Sequence, residues 1–201
     1  MSKLYDDSHR ALQRRFDTER LADRLEQRLC RDQLTDEDRA FIARLDMFFL
    51  ATVSAGGQPS CSYKGGDPGF VCAPDARTLV FPNYDGNGMY LSMGNVTATA
   101  QVGMLFIDFA RPQRLRVHGA AQIVAADALG LEYAGAQFLV RIEVQRVFPN
   151  CPRYIHTMQQ TARSEFVPHT GDSTPVPKWK RMDWAIDVLP ASDPARDKPG
   201  G

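Results

Sequence analysis

The apolar residues of this chain follow a helical period near the N-terminus and a strand-like period further along. Between residues 8 and 29 they recur every four or five positions with charged residues between them, which predicts one amphipathic helix capped by Ser8. The stripe consists of Leu12, Phe16, Leu21, Leu25 and Leu29. Such a stripe either packs on the core or binds a partner, and we expect core packing.

A second helix is predicted where Thr35 and Asp38 have the spacing of a capping box. In this motif the side chain at each of the two positions accepts a hydrogen bond from the backbone N–H of the other. The buried face of this helix is expected to be Phe41, Ile42 and Leu45. The two helices make residues 1–46 an N-terminal helical extension.

From residue 48 onward the pattern is typical of strands and tight turns. Residues 48–53 form a continuous apolar run, and the turn residues at 55–59 predict a hairpin. Further strands are predicted at 60–64, 70–73, 78–81, 102–109, 114–124 and 138–147. A polar loop within residues 82–95 leads into a short helix. Clustered short strands with tight turns favour a small antiparallel barrel.

Composition and charge exclude several classes of protein. The chain has 201 residues, of which 43% are hydrophobic, and its formal net charge is +0. A chain with no net positive field is not expected to bind nucleic acid or an anionic membrane. There is no membrane-length apolar run and no signal peptide, so we expect a cytoplasmic protein. We expect a main domain over residues 47–167 and a C-terminal extension over 168–201, with a disordered tail from 191.

The cysteines and histidines lack the spacing of a metal site. Cys30, Cys61, Cys72 and Cys151 contain no CxxC pair, and we expect reduced thiols in or near the core. Cys151 is a weak candidate for a nucleophile, because no adjacent histidine supports that role. His118 lies on the polar face of a predicted strand, where a solvated imidazole is the usual case.

Two sets of residues could hold an anion. Residues 83–87 contain Asn, Asp and Gly before a predicted helix, where free N–H groups favour negative charge; a capping turn explains them equally well. Arg114 and Arg116 share one strand face and, opposite Lys64, could line an anionic ligand; a solvated face is the alternative. Arg153 could bind a phosphate or form a salt bridge in a dimer.

Five sequence blocks, in order, resemble the pyridoxamine 5′-phosphate oxidase-like, FMN-binding split-barrel family. They are FFLATV at 48–53, PSCSYKGG at 59–66, LVFPNYDGN at 79–87, VGMLFID at 102–108 and RLRVHG at 114–119. Their order and spacing match the family over residues 47–147. A sixth block, FPNCPRY at 148–154, resembles an uncharacterised branch of the family.

The resemblance implies a mainly β fold, a six-stranded antiparallel split β-barrel of Greek-key type. It also implies a homodimer with an FMN site at each interface. Lys64 matches the lysine that ends the first flavin-binding strand. The other positions it places near the cofactor are Cys61, Ser62, Tyr63, Pro82, Asn83, Asn87, Gly88 and Arg114.

The chain departs from the oxidase at the cations that bind the phosphate. Pro59 stands in place of an arginine, and Asn87 and Gly88 stand in place of an Arg-Lys pair. Helix N-terminal amides, Ser or Asn side chains, or Arg153 could substitute. We therefore expect a flavin-dependent oxidoreductase acting on a small-molecule substrate, rather than the oxidase itself. The alternatives are a non-catalytic flavin or small-molecule binding module, and the same fold with haem, ligated by His118, or with a deazaflavin.

Overall fold

Five α-helices, seven β-strands and two short 3-10 helices form within the described part of the chain, which is residue 2 and residues 4–196. The α-helices are α1 (Asp7–Arg15), α2 (Glu19–Leu29), α3 (Asp36–Ala43), α4 (Leu91–Thr99) and α5 (Asp183–Ile186). The strands are β1 (Met47–Val53), β2 (Pro59–Gly65), β3 (Cys72–Asp75), β4 (Thr78–Tyr84), β5 (Gln101–Asp108), β6 (Gln113–Val124) and β7 (Ala136–Pro149). The 3-10 helices span Lys178–Arg181 and Pro194–Arg196. The elements belong to two units, residues 1–161 and residues 162–201.

The N-terminal arm consists of two helices, where the sequence predicted one. The break falls at Asp17, which has a left-handed φ of +52°, and α2 starts two residues later. Asp6 caps α1 in place of Ser8, because its carboxylate accepts hydrogen bonds from the N–H groups of Ser8 and His9. Aspartate adopts the left-handed conformation more readily than most residues, so it suits the break between the two helices.

The apolar stripe of the arm faces away from the core, so the prediction of core packing is wrong. Leu12, Phe16, Leu21, Leu25 and Leu29 are 40–67% exposed. Polar contacts connect α2 to α1 and to the residues just before α1. The hydroxyl of Tyr5 donates to the carbonyl of Ala22, and Arg10 pairs with Asp23 at 2.7 Å.

The predicted capping box is confirmed at the start of α3. The hydroxyl of Thr35 accepts a hydrogen bond from the N–H of Asp38, and the Asp38 carboxylate accepts one from the N–H of Thr35. Phe41, Ile42 and Leu45 are buried, as the sequence predicts.

All seven strands join one antiparallel sheet in the order β2-β1-β5-β6-β7-β4-β3. The rings of Phe48 on β1 and Phe81 on β4 lie 5.1 Å apart, between centroids. Four strand spacings separate β1 from β4, about 19 Å in a flat sheet. The sheet therefore curls into a barrel around these rings. The mainly β prediction is confirmed. The strand predicted at 70–73 is present as β3, so the sheet has one strand more than the six that the resemblance implies.

The alternation of buried and exposed side chains along β7 is interrupted where its register with β6 shifts. Val144 and Val147 are both buried, although they are three positions apart and strict alternation would place them on opposite faces. The register between β6 and β7 shifts after His118, which pairs with Arg146, so that Gly119 pairs with Val144. Leu139, which the alternating pattern assigns to the outer face, is buried as well.

The second unit is held together by a buried ion pair. The ammonium group of Lys180 lies 2.7 Å from the carboxylate of Asp193, which also accepts a hydrogen bond from the N–H of Ala195. Asp193 belongs to the stretch from 191 that was expected to be disordered, and within residues 191–196 the structure gives it these contacts. The remainder of the expected tail, 197–201, lies outside the described residues.

Candidate functional site

Strand β2 forms one edge of the sheet and carries four of the candidate cofactor residues. Within the described chain it pairs only with β1, so half of its backbone N–H and C=O groups point away from the sheet. Its side chains alternate between the two faces: Ser62 and Lys64 are partly buried, whereas Cys61 and Tyr63 are exposed. The free backbone edge is what these four residues share.

The N-terminus of α4 lies beside this edge strand. The hydroxyl oxygens of Ser92, in the first turn of α4, and Ser62 are 3.1 Å apart. No side chain caps the helix, whose N-cap residue is Tyr90, in the left-handed conformation with φ of +48°. The N–H groups of residues 91–93 have no acceptor in the described part of the chain. Together with the helix dipole, these amides form an anion-binding geometry.

The loop before α4 is anchored to β7 by Gln137. The side-chain amide of Asn83 donates to Oε1 of Gln137 at 3.0 Å, and the hydroxyl of Tyr90 donates to the same oxygen at 3.1 Å. Asn83 is buried at the end of β4, next to the buried Pro82. Sequence reasoning missed Gln137, whose one signal is a polar residue at the start of an apolar strand.

Asn87 and Gly88 lie in this loop, ahead of the helix rather than in its first turn. The side-chain oxygen of Asn87 accepts a hydrogen bond from the N–H of Met89 at 3.1 Å. Gly88 has a φ of +74°, which favours glycine. The two residues shape the approach to α4, and Ser92 is the polar side chain at the helix itself. Sequence reasoning missed Ser92, which sits among apolar residues.

Lys64 is a partly buried cation without an ion-pair partner among the described residues. Burial lowers the pKa of its ammonium group, and no carboxylate offsets that effect. Removing a cation from water without a counter-charge is unfavourable. A bound anion would supply the missing charge, so this side chain fits an anionic ligand such as a flavin phosphate or a reduced flavin ring.

Arg114 and Arg153 come together, but at a different place from Lys64. Arg114 directly precedes Leu115, which pairs with Pro149 at the end of β7, and hydrogen bonding by Arg153 and the charges of both arginines lower the pKa of the Cys151 thiol. Lys64 lies on the face of the sheet that points to the core, whereas Arg114 lies on the outer face. Strands β1 and β5 separate β2, which carries Lys64, from β6, which carries Arg114. Lys64 and Arg114 of the same chain therefore do not line one ligand together.

His118 lies half-buried on the outer face of β6, between two arginines. Its ring meets the ring of Phe148 edge to face, with centroids 5.2 Å apart. Burial lowers the pKa of His118, and the charges of Arg146 and Arg116 lower it further. At neutral pH the imidazole is therefore uncharged, the form that binds a metal.

The family model described as pyridoxamine 5′-phosphate oxidase matches residues 34–152, which is more than half of the chain. The chain belongs to the pyridoxamine 5′-phosphate oxidase family. The match spans all seven strands and every candidate cofactor residue except Arg153. The resemblance predicted from the sequence blocks is thus confirmed.

Several solved structures resemble parts of this family member. A putative pyridoxamine 5′-phosphate oxidase from Lactobacillus delbrueckii is 22% identical, with a TM-score of 0.47 and coverage of 59% of this chain and 95% of its own. The haem storage protein HutZ from Vibrio cholerae is 22% identical, with a TM-score of 0.41 and coverage of 58% and 94%. An FMN-binding protein from Syntrophomonas wolfei is 12% identical, with a TM-score of 0.41 and coverage of 70% and 97%. No curated protein matches the chain.

No group of three or more His, Cys, Asp and Glu side chains in the described part of the chain could hold a metal ion. Nor is any helix there long and apolar enough to cross a membrane.

Proposed function

We propose that this member of the family binds FMN and is a flavin-dependent oxidoreductase. The observation that carries the proposal is the 3.1 Å contact between Ser62 and Ser92. It sets the free backbone edge of β2 beside the uncapped N-terminus of α4. FMN contains a flat ring with a hydrogen-bonding edge, and a phosphate. The ring edge fits the free backbone groups of β2, and the phosphate fits the amides at the N-terminus of α4.

The N-terminus of α4 would replace the Arg-Lys pair of the oxidase at the phosphate. Three amides at residues 91–93 and the hydroxyl of Ser92 can donate hydrogen bonds to phosphate oxygens. Lys64 adds a positive charge that lacks a partner within the described chain. The loss of the two oxidase cations is therefore compatible with phosphate binding here.

When bound, FMN would supply hydride transfer. The chain's own contribution is to bind and orient it. The edge of β2 offers N–H and C=O groups to the ring, and Lys64 offers a cation. The hydrogen bonds of Asn83 and Tyr90 to Gln137 hold the loop before α4 in one conformation.

We propose further that the protein is a homodimer with the cofactor sites at its interface. The outer face formed by β1, β2 and β5 carries partly exposed apolar side chains. These include Phe49, Tyr63, Leu105 and Ile107. An aromatic and aliphatic sheet face is the kind of surface that a partner covers. Leu105→Glu should yield a monomer in light scattering, whereas Ala128→Glu, at an exposed loop position, should not. A wild-type monomer would contradict the dimer.

Titration with FMN and riboflavin tests the cofactor proposal, because riboflavin lacks the phosphate. The absorption spectrum of the purified protein and the mass of any released chromophore come first. We expect FMN to bind at least about tenfold more tightly than riboflavin. Equal affinities would contradict phosphate binding at α4. Failure of FMN, riboflavin and a deazaflavin to bind would overturn the flavin proposal itself.

Ser92→Asp sharpens this test by placing a negative charge at the expected phosphate position. It should weaken FMN binding at least about tenfold while riboflavin binding persists, which also reports a folded protein. Ala98→Asp, at an exposed position of the same helix, is the matched control and should leave the preference unchanged. Unaltered FMN affinity in Ser92→Asp would contradict the assignment of α4.

Haem binding is a second candidate, favoured by the neutral state of His118. The imidazole lies partly buried between Arg116 and Arg146, whose charges suit the carboxylates of haem. Haemin added to the protein should then produce a Soret band that His118→Ala abolishes. A band of equal position and intensity in that variant would exclude His118 as the ligand.

A further inference from the structure

Helix α2 carries two parallel strips of exposed side chains, one apolar and one basic. The apolar strip is Leu21, Leu25 and Leu29, and the basic strip is Arg20, Arg24 and Arg28. Members of a strip are four residues apart, so each step moves only about 40° around the helix. Each arginine directly precedes a leucine and therefore lies about 100° from it. The two strips run side by side along about 12 Å of the helix.

The acidic residues of the same helix face the other way and already have partners. Asp23 and Glu19 pair with two arginines of α1, at 2.7 and 3.6 Å. The carboxylate of Glu26 accepts a hydrogen bond from the N–H of Leu4 at 3.2 Å. Folding thus separates the charges of α2, because its acids face α1 and the residues before it while its arginines face solvent.

The three arginines of the basic strip form no ion pair within the described part of the chain. A surface that combines exposed leucines with uncompensated positive charge is complementary to one that combines apolar groups with negative charge. From the sequence, partner binding is the alternative to core packing for the apolar stripe of the arm. The exposure of its leucines leaves that alternative.

We propose that the two strips of α2 bind an acidic amphipathic helix of a partner protein. The partner helix lays its own apolar strip on Leu21, Leu25 and Leu29 and sets glutamate or aspartate side chains against the arginines. The inference does not depend on the flavin, because α2 contains none of the candidate cofactor residues.

The width and the charge of the surface favour a partner helix over a lipid bilayer or a second α2. The leucine strip covers only about 80° of the helix circumference, which suits a helix–helix seam better than a broad apolar surface. A second copy of α2 adds three more arginines, and its carboxylates already have partners of their own. Self-pairing of this helix therefore leaves the positive charge uncompensated.

A pair of synthetic peptides tests the chemistry of the partner. One repeats Glu-Leu-Glu-Ala five times, so that glutamates flank a leucine strip on both sides, and in the other lysine replaces every glutamate. The full-length protein should bind the glutamate peptide at least about tenfold more tightly, as fluorescence anisotropy would measure. Raising the salt from about 50 to about 500 mM should weaken that binding. Equal affinities, or binding of neither peptide, would overturn the proposal.

Arg24→Glu tests whether α2 is the docking site. The variant should bind the glutamate peptide at least about fivefold more weakly and the lysine peptide more tightly, a reversal that also reports a folded protein. Lys178→Glu makes the same change of net charge at an exposed position in the second unit and should leave both affinities unchanged. Equal responses of the two variants would contradict the assignment to α2.

Two further measurements distinguish the other occupants. Leu25→Gln should weaken binding of the glutamate peptide without changing the oligomeric state seen by light scattering. A changed oligomeric state in this variant would assign the strips to a second copy and overturn the proposal. Flotation of the protein with phosphatidylcholine vesicles that contain about 30% phosphatidylglycerol, if Arg24→Glu abolished it, would assign them to a lipid surface instead.

Discussion

The side-chain amide of Asn95 on α4 donates a 3.0 Å hydrogen bond to the hydroxyl of Thr52 on β1, and both side chains are buried. Nearby, the hydroxyl of Thr99 donates to the carbonyl of Val53 at 2.9 Å. These bonds attach α4 to β1. They determine where the uncapped N-terminus of the helix lies relative to β2, and so they hold the proposed phosphate site in position.

Thr52→Val should therefore destabilise the fold although it preserves side-chain shape. The substitution leaves the Asn95 amide buried without its acceptor, at a cost of about 1–3 kcal/mol. Urea unfolding would measure this as a lower midpoint. Thr97→Val is the control, because Thr97 is exposed and its hydroxyl bonds only within the helix; it should change stability by less than about 1 kcal/mol. Equal effects of the two substitutions would contradict a structural role for the Asn95–Thr52 bond.

Gly119→Ala should destabilise the barrel more than Gly103→Ala. A Cβ at residue 119 would lie 2.4 Å from the carbonyl oxygen of Glu143, at the irregularity between β6 and β7. A Cβ at residue 103 meets its nearest atoms at an ordinary 3.7 Å. We expect a cost of about 1–3 kcal/mol at position 119 and less than about 1 kcal/mol at position 103. Thermal unfolding of both variants would measure it, and the reverse order would show that the sheet relaxes there.

Lys64→Met should lower the reduction potential of bound flavin. A cation near the ring favours the negatively charged reduced form, so its removal makes reduction harder. The expected fall is on the order of 30 mV, measured by dye equilibration of the FMN-loaded protein. Lys178→Met, at an exposed position in the second unit, should leave the potential unchanged. An unchanged potential in Lys64→Met would remove Lys64 from the flavin site.

His118 should make the folded protein sensitive to mild acid. Burial and the charges of Arg146 and Arg116 lower its pKa below the ordinary 6.5. As the pH falls through 6.5, the unfolded chain binds a proton that the folded chain does not, so stability declines until the lowered folded pKa is passed. His118→Gln should flatten the dependence of Tm on pH below 6.5. The same change at the exposed His156 should not. If His118→Gln retains the full wild-type slope, other groups account for it.

Features that depend on a few neighbouring residues could be predicted from the sequence. The capping box of Thr35 and Asp38 satisfies its own backbone groups, so it forms wherever the helix goes. The β1–β2 hairpin follows from the turn at 55–59 and the apolar run before it. The ordered sequence blocks were specific enough for the family, because they record the whole strand arrangement.

The tertiary structure decided which surfaces and side chains meet. An amphipathic stripe indicates a helix with an apolar face but not what covers that face, and in the arm Leu12 to Leu29 point outward. The contacts of Ser62 with Ser92 and of Thr52 with Asn95 join residues 30 or more positions apart. Such contacts depend on strand register, on the shift at His118 and on how far the sheet curls, which are cooperative properties of the packed core rather than of any local segment.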